Sequence, residues 1–139
     1  RRLEGEFLNY NQAIPSNNPI AVSVDRKKLI SCIERCSLII TEQQKSPLRC
    51  TFGDGVLDIR TATAIGTAQD QCPMVGNGNG LEIGFNNKYI LDALKAANAE
   101  TLRISLNTPI SPCIIQPEEG DDQDQFLYMV LPVRLKAGQ

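Results

Sequence analysis

The chain has 139 residues, of which 42% are apolar and 22% are charged, and its formal net charge is −2. That length is sufficient for one domain with a hydrophobic core. The slightly negative charge means that the chain as a whole does not attract nucleic acid electrostatically. No apolar run is long enough to cross a bilayer, and no segment reads as a signal peptide. The sequence opens without Met, inside what reads as a continuing element, so we expect a fragment of a larger protein.

The sequence contains five cysteines and no histidine. Five is an odd number, and the spacings lack the CxxC pattern of a metal-binding knuckle. Cys32 and Cys36 lie four residues apart on an apolar helical face, where cysteine serves as a small hydrophobic side chain. Buried, reduced thiols are therefore favoured over disulfides or a metal site, which indicates a cytoplasmic protein.

In chain order, residues 1–15 come first and belong to no repeat. They carry Phe7, Tyr10 and Ile14 and end at Pro15. This composition predicts an entry segment leading from a preceding domain. The domain proper is then expected over residues 16–139.

The rest of the chain contains an internal repeat of one structural unit. The first copy has a strand at residues 20–24, a helix capped by Asp25, and strands at 48–52, 56–59 and 68–75,. Asp54 and Gly55 are expected to form a hairpin turn between two of these strands. The second copy has a strand at 81–85, a helix capped by Asn86 or Asn87, and strands at 102–106, 112–116 and 126–133. The predicted fold class is α+β, with two β-α-β-β-β units whose helices pack on one side of an antiparallel sheet.

Two connections invite a ligand-binding interpretation. Gly76–Gly80 could be a phosphate loop, but it runs into a strand rather than into a helix, which favours a flexible linker. Glu118–Asp124 is acidic, but it lacks the ligand spacing and closing glutamate of an EF-hand loop. A solvated hairpin tip is the better interpretation of that segment.

The last segment, Phe126–Leu135, is almost wholly apolar and contains Pro132. Because proline has no N–H to give to a sheet, we expect this segment to begin as a core strand and to end as an apolar, one-sided lip. Such a lip is either a docking surface for a partner or the frayed end of a last strand.

No catalytic constellation is visible. There is no histidine for a nucleophile–base pair, and no HExxH, GxSxG or Walker-type motif,. No metal or cofactor is expected. The outer faces of the two helices carry basic residues, which either form an ordinary solvated surface or present a weak cationic wall to phosphates. These residues are Arg26, Lys27, Lys28, Arg35, Lys88 and Lys95.

Three segments together resemble one family. Leu81–Lys95 resembles the second-helix motif in the last domain of the bacterial DNA polymerase III beta subunit, the sliding clamp. Phe126–Leu135 resembles that family's C-terminus, and residues 1–15 resemble its link from the middle to the last domain. The resemblance covers the whole chain, and it implies a DNA-clamp domain made of two pseudo-symmetric units.

The resemblance also implies a function. Two three-domain subunits would close head to tail as a homodimeric ring around duplex DNA, a processivity factor of replication and not an enzyme. The DNA polymerase III catalytic subunit, the clamp loader and other proteins would dock short peptides in a groove between the middle and last domains. The implied groove residues are Leu8, Gln12, Ala13, Tyr89, Ile110, Pro112, Met129, Leu131, Pro132, Val133 and Arg134. Ile39 and Ile40 would lie in the subunit interface, and we therefore expect them to be substantially exposed in this chain.

The chain departs from the family pattern at three places. Leu8-Asn9 replaces a common Pro-Asp, Gln12 replaces an arginine, and Lys136–Gln139 extend beyond the usual last residue. Two rival hypotheses remain on sequence alone. One is a stand-alone peptide-binding module of this fold, unrelated to replication, and the other is an enzyme fragment whose active site lies elsewhere in the parent protein.

Overall fold

The computed structural model describes residues 19–41, 45–118 and 128–135. Its helices are α1 (Arg26–Cys36), continued by a short 3-10 turn (Ser37–Ile39), and α2 (Asn87–Ala96). Its strands are β1 (Ile20–Asp25), β2 (Leu48–Thr63), β3 (Gly66–Phe85), β4 (Thr101–Leu106), β5 (Cys113–Pro117) and β6 (Tyr128–Val130). The predicted linker 1–15 lies outside the described residues.

All pairings among the described strands are antiparallel, in the order β2-β3-β1-β4-β5-β6. β2 is not one straight strand. The Thr61 hydroxyl donates to the Pro47 carbonyl oxygen at 3.0 Å, whereas a straight strand would separate those residues by about 45 Å. β2 therefore folds back on itself, and Gly55, with a φ of 78°, lies at the bend. The predicted hairpin turn at Asp54-Gly55 is confirmed.

The strand registers repeat between the two halves of the chain. β1, the first strand of the first unit, pairs with β4. The end of β3, which is the first strand of the second unit, pairs in the equivalent way with the start of β2. The matched pairs are Val24↔Leu102 with Phe85↔Leu48, and Ser23↔Val75 with Gly84↔Val133. The last of these bridges brings the chain's end back beside β3, so the sheet curls round on itself. The α+β fold with two pseudo-symmetric β-α-β-β-β units is confirmed.

The two helices begin at equivalent caps. The Asp25 carboxylate accepts from the Lys28 amide at 2.9 Å, and the Asn86 side chain accepts from the Lys88 and Tyr89 amides at 2.9 and 3.2 Å. Such caps satisfy amides that the first helical turn leaves unpaired. The helices contact each other and bury one face each, with Leu29, Cys32, Ile33 and Cys36 from α1 and Ile90, Ala93 and Leu94 from α2.

The segment Gly76–Gly80 corrects the prediction of a flexible linker. It continues β3, with Asn77 opposite Asp54 and with register shifts on either side. A side chain at Gly78 would place its Cβ 2.3 Å from the Phe52 Cβ. The glycines here permit a close approach to β2 rather than freedom of movement. Of the predicted acidic tip, only Glu118 lies among the described residues, and it pairs with Arg103 at 3.1 Å.

All five cysteines are free and buried, as predicted for structural thiols. Desolvation raises the pKa of each, because burial disfavours the thiolate. The pKa of Cys36 rises to about 11, and those of Cys72 and Cys113 rise to about 12. These thiols are neutral and poorly reactive in the folded chain at physiological pH.

Alkaline pH should therefore destabilise the domain. An unfolded thiol ionises near its ordinary pKa of 9.0, whereas folded Cys113 stays neutral to about 12. The stabilising contribution is fully present below pH 9 and is lost as pH rises toward 12. From pH 8 to about pH 10.5, each such thiol should lower the free energy of unfolding by about 1–2 kcal/mol. Urea unfolding under reducing conditions should show a smaller fall in Cys113→Val than in the parent chain, and equal falls would contradict the assignment.

Candidate peptide-binding surface

The segment Leu131–Leu135, here called the lip, is partly exposed. It follows β6, in which Tyr128 and Val130 are buried. Strand pairing then stops until Val133, whose amide donates to the Gly84 carbonyl oxygen at 2.8 Å. Leu131 is 50% exposed and Arg134 is also exposed. The predicted change from core strand to apolar lip is confirmed.

Apolar residues from two other elements lie beside the lip. β5 pairs with β6 through Cys113↔Val130, so the next pair along that register brings Pro112 beside Leu131. Ile110, in the loop before β5, is 66% exposed, and Tyr89, in the first turn of α2, is 48% exposed. α2 contacts β6. Ile110 and the lip therefore lie at the same end of the β5–β6 pair, Tyr89 belongs to the helix that contacts β6, and Met129 and Pro132 are half-buried.

A pocket of about 630 Å³ opens beside the lip. Of the site residues named from sequence, Ile40, Lys88, Val133 and Arg134 line it. Sequence reasoning did not assign the other lining residues to a site; they are Thr41, Lys45, Ser46, Pro47, Asn86 and Asn87, of which the two asparagines were named only as helix caps. The helix cap at Asn86 was visible in the sequence and marks the start of α2, which lines the pocket. The pocket itself depends on the pairing of Leu48 with Phe85, which a single sequence does not reveal.

Comparison with known proteins identifies the family. Residues 11–134 match the family described as DNA polymerase III beta subunit, C-terminal domain. This chain belongs to that family. The beta sliding clamp of Synechococcus elongatus is 31% identical over 140 residues, which is 99% of this chain and 36% of that protein. The beta sliding clamp of Staphylococcus aureus is 31% identical over 136 residues, covering 96% of this chain and 35% of that protein.

Solved structures agree with the family assignment. The DNA polymerase III beta subunit from Thermotoga maritima superposes with a TM-score of 0.81 at 28% identity, over 94% of this chain and 35% of that one. The sliding clamp from Bartonella birtlesii bound to griselimycin superposes with a TM-score of 0.78 at 27% identity, over 93% and 34%. The clamp domain described here thus spans about a third of the length of the relatives that it matches.

Three groove residues expected from the resemblance, Leu8, Gln12 and Ala13, lie outside the described residues of the clamp domain. The others are placed as described above. In the described ranges there is no helix long and apolar enough to cross a membrane. The same ranges hold no group of three or more histidine, cysteine, aspartate or glutamate side chains placed to bind a metal.

The predicted DNA-facing cations of the clamp domain divide into two groups. Three of them have internal partners. Arg26 donates to the carbonyl oxygens of Ala99 and Leu94, Arg35 pairs with Asp70 at 2.5 Å, and Lys95 pairs with Glu34 at 2.9 Å. Lys27, Lys28 and Lys88 are exposed. The cationic surface of the helix layer is accordingly weaker than the sequence indicates.

We therefore expect the isolated clamp domain to bind duplex DNA negligibly at physiological salt. The net charge is −2, and a few exposed lysines contribute only a weak term that salt suppresses. A gel-shift titration with labelled duplex should show no complex at micromolar domain concentrations. Tight or sequence-selective retardation would contradict this expectation.

The structure corrects the predicted exposure of the two expected interface residues. Ile39 and Ile40 were expected to be substantially exposed, but both are only half-buried, and Ile40 packs against the core cluster. The preceding Leu38 is 80% exposed. The 3-10 turn at Ser37–Ile39 continues beyond α1 and turns Leu38 outward. Of the three residues, Leu38 has the largest exposed fraction.

Gly84 holds the lip against the sheet. A Cβ at this position would lie 2.8 Å from the Val133 carbonyl oxygen and 2.7 Å from a Leu135 methyl carbon. Gly84→Ala should displace the lip and lower the free energy of unfolding by about 1–3 kcal/mol. Urea unfolding measures the effect. Gly53→Ala is the control, since a Cβ there meets nothing closer than 3.4 Å; equal effects of the two substitutions would contradict the proposed contact.

Proposed function

We propose that this chain is the last domain of a sliding clamp that acts as a processivity factor in DNA replication. In the full protein, the domain contributes to a homodimeric ring that encircles duplex DNA without sequence specificity. It tethers the DNA polymerase III catalytic subunit, the clamp loader and other partners through a peptide-binding groove. The observation that carries the proposal is an exposed apolar lip, with the exposed Ile110 at the same end of the β5–β6 pair, within a domain of the clamp family.

The lip suits a peptide anchor because it joins exposed apolar side chains to one charged neighbour. Leu131 and Ile110 offer apolar contact area, and Arg134 stands at the edge of the lip. Convergent apolar residues with a few polar groups are what a small binding site needs. The groove residues that come from the sequence resemblance, including Leu8, Gln12 and Ala13, belong to this proposal.

One wall of a groove should bind only weakly. Burial of an apolar side chain contributes about 1.5–3 kcal/mol, and a dissociation constant of 1 mM corresponds to about 4.1 kcal/mol. Two or three buried side chains would together contribute about that much free energy. We therefore expect a Gln-, Leu- and Phe-rich peptide to bind this chain with a dissociation constant of about 1 mM.

The remaining features of the ring follow from the same proposal. Residues 1–15 lead from the middle domain, residues 16–139 form the last domain, and Ile39 and Ile40, with Leu38 beside them, meet the neighbouring subunit. DNA is retained by enclosure, so the helix layer needs no tight phosphate contacts. The protein is a cytoplasmic replication factor whose role is to hold other proteins on DNA, with no catalysis of its own.

The test is a fluorescence anisotropy titration of the chain against a labelled Gln-, Leu- and Phe-rich peptide. A peptide of the same composition in scrambled order is the matched control. Saturable binding of the ordered peptide at millimolar chain, with much weaker binding of the scrambled one, would support the proposal. Equal binding of both peptides, or binding of neither, would overturn it.

A further inference from the structure

The pocket beside the lip is built by four segments that the pairing of the strands brings together. Leu48 pairs with Phe85, so Pro47 and the residues before it continue alongside the start of α2. On the other side of the same β3 arm, Val133 is bridged to Gly84. The start of α2 thus lies between Lys45–Pro47 and the lip, and these three segments, together with Ile40 and Thr41, line the 630 Å³ pocket.

The pocket is cationic. Its lining includes Lys45, Lys88 and Arg134, and no aspartate or glutamate is present among the lining residues that the structure describes. Lys45, Lys88 and Arg134 are all exposed. Elsewhere, the ion pairs between described residues engage other cations, which are Arg35, Arg49, Arg60, Lys95 and Arg103. Three cations around one concavity favour an anionic ligand.

The rest of the lining suits a peptide segment. Ile40, Pro47 and Val133 supply apolar area, and the Ser46, Asn86 and Asn87 side chains add polar groups. The Asn86 side-chain oxygen already accepts hydrogen bonds from the backbone amides of the helix cap. A mixed apolar and cationic surface of this kind accommodates the methylenes and carboxylates of aspartate or glutamate side chains.

The pocket is continuous with the lip. Val133 and Arg134 belong to both, and Leu131 lies three residues before Arg134, which is about 10 Å along an extended chain. A peptide that seats an apolar side chain on Leu131 would bring residues two to four positions away within reach of the pocket.

We propose that this pocket binds an acidic flank, two or more Asp or Glu residues, placed two to four positions from the apolar anchor of a docked peptide. The inference rests on the proposed function and defines which peptides the surface prefers. Nucleic acid is disfavoured as the occupant, because a net charge of −2 repels an extended polyanion while a short acidic segment needs only the local cations,.

Three synthetic peptides test the inference on the full chain. They share one Gln-, Leu- and Phe-rich core and carry Asp-Glu-Asp after the core, Asp-Glu-Asp before it, or Asn-Gln-Asn on both sides. At about 50 mM salt, one of the two acidic peptides should bind about three- to tenfold more tightly than the neutral peptide, and higher salt should remove the gain.

Two double variants distinguish the pocket from general electrostatics. Lys45→Gln with Lys88→Gln should reduce the preference for the acidic flank to below about twofold, while neutral-peptide affinity stays unchanged. Lys27→Gln with Lys28→Gln removes the same charge from exposed positions of α1 outside the pocket and should keep the preference. If both double variants lose the preference equally, or if all three peptides bind the parent chain alike, the inference is overturned and the proposed function stands. If no peptide binds, both fail.

Discussion

Phe52→Ala should lower the free energy of unfolding of this domain by about 3–5 kcal/mol, the cost of truncating a buried aromatic side chain. Phe52 is 2% exposed, lies opposite Leu81 in the sheet and contacts Gly78 in the connection between the two halves. The side chain therefore supports both pseudo-symmetric units at once. Urea unfolding followed by circular dichroism measures the effect.

Thr51→Ala provides the matched control. Thr51 is the neighbouring residue, so its side chain points to the other sheet face, where its hydroxyl donates to Glu82 at 3.4 Å,. The loss of this long, part-exposed hydrogen bond should cost less than about 1 kcal/mol. A loss below about 1 kcal/mol for Phe52→Ala as well would mean that the packing between Phe52 and Gly78 does not join the two halves.

Leu131→Asp should weaken binding of a Gln-, Leu- and Phe-rich peptide at least tenfold, because it places a charge where an apolar side chain would dock. Leu131 is 50% exposed, so the substitution should leave the fold intact. The same titration by anisotropy or NMR measures the change.

Leu38→Asp is the control for Leu131→Asp. It makes the same substitution at an exposed leucine, 80% exposed, that follows α1 and is remote in sequence from the lip. Peptide affinity should be unchanged in this variant. Equal losses in both variants would indicate nonspecific attraction of the peptide to apolar surface.

Sequence patterns predicted the elements because their signals are local. Asp25 and Asn86 each precede a helical apolar pattern, and both act as caps. Asp54-Gly55 forms the predicted turn. The prediction for the segment Gly76–Gly80 was wrong because a glycine-rich run permits either a flexible backbone or a close approach to a neighbouring strand. The contact with Phe52, which a single sequence does not show, decides for the close approach.

For a similar reason, the sequence predicted the lip but not the pocket beside it. The lip was foreseen because Pro132 interrupts an apolar run within a few residues. The cationic pocket was not, because Lys45 and Lys88 are distant in sequence and meet only through the register of Leu48 with Phe85. Leu38 was overlooked because the 3-10 turn after α1 changes which side chain faces outward, and a helical pattern does not predict that change.

The most direct test of the peptide-binding surface is an NMR titration of the isotope-labelled chain with a Gln-, Leu- and Phe-rich peptide. Amide shifts should cluster at Tyr89, Ile110 and residues 129–134, and they should disappear in Met129→Asp. Shifts that spread over other surfaces, or that persist in that variant, would contradict the assignment and leave the lip as the frayed end of a last strand.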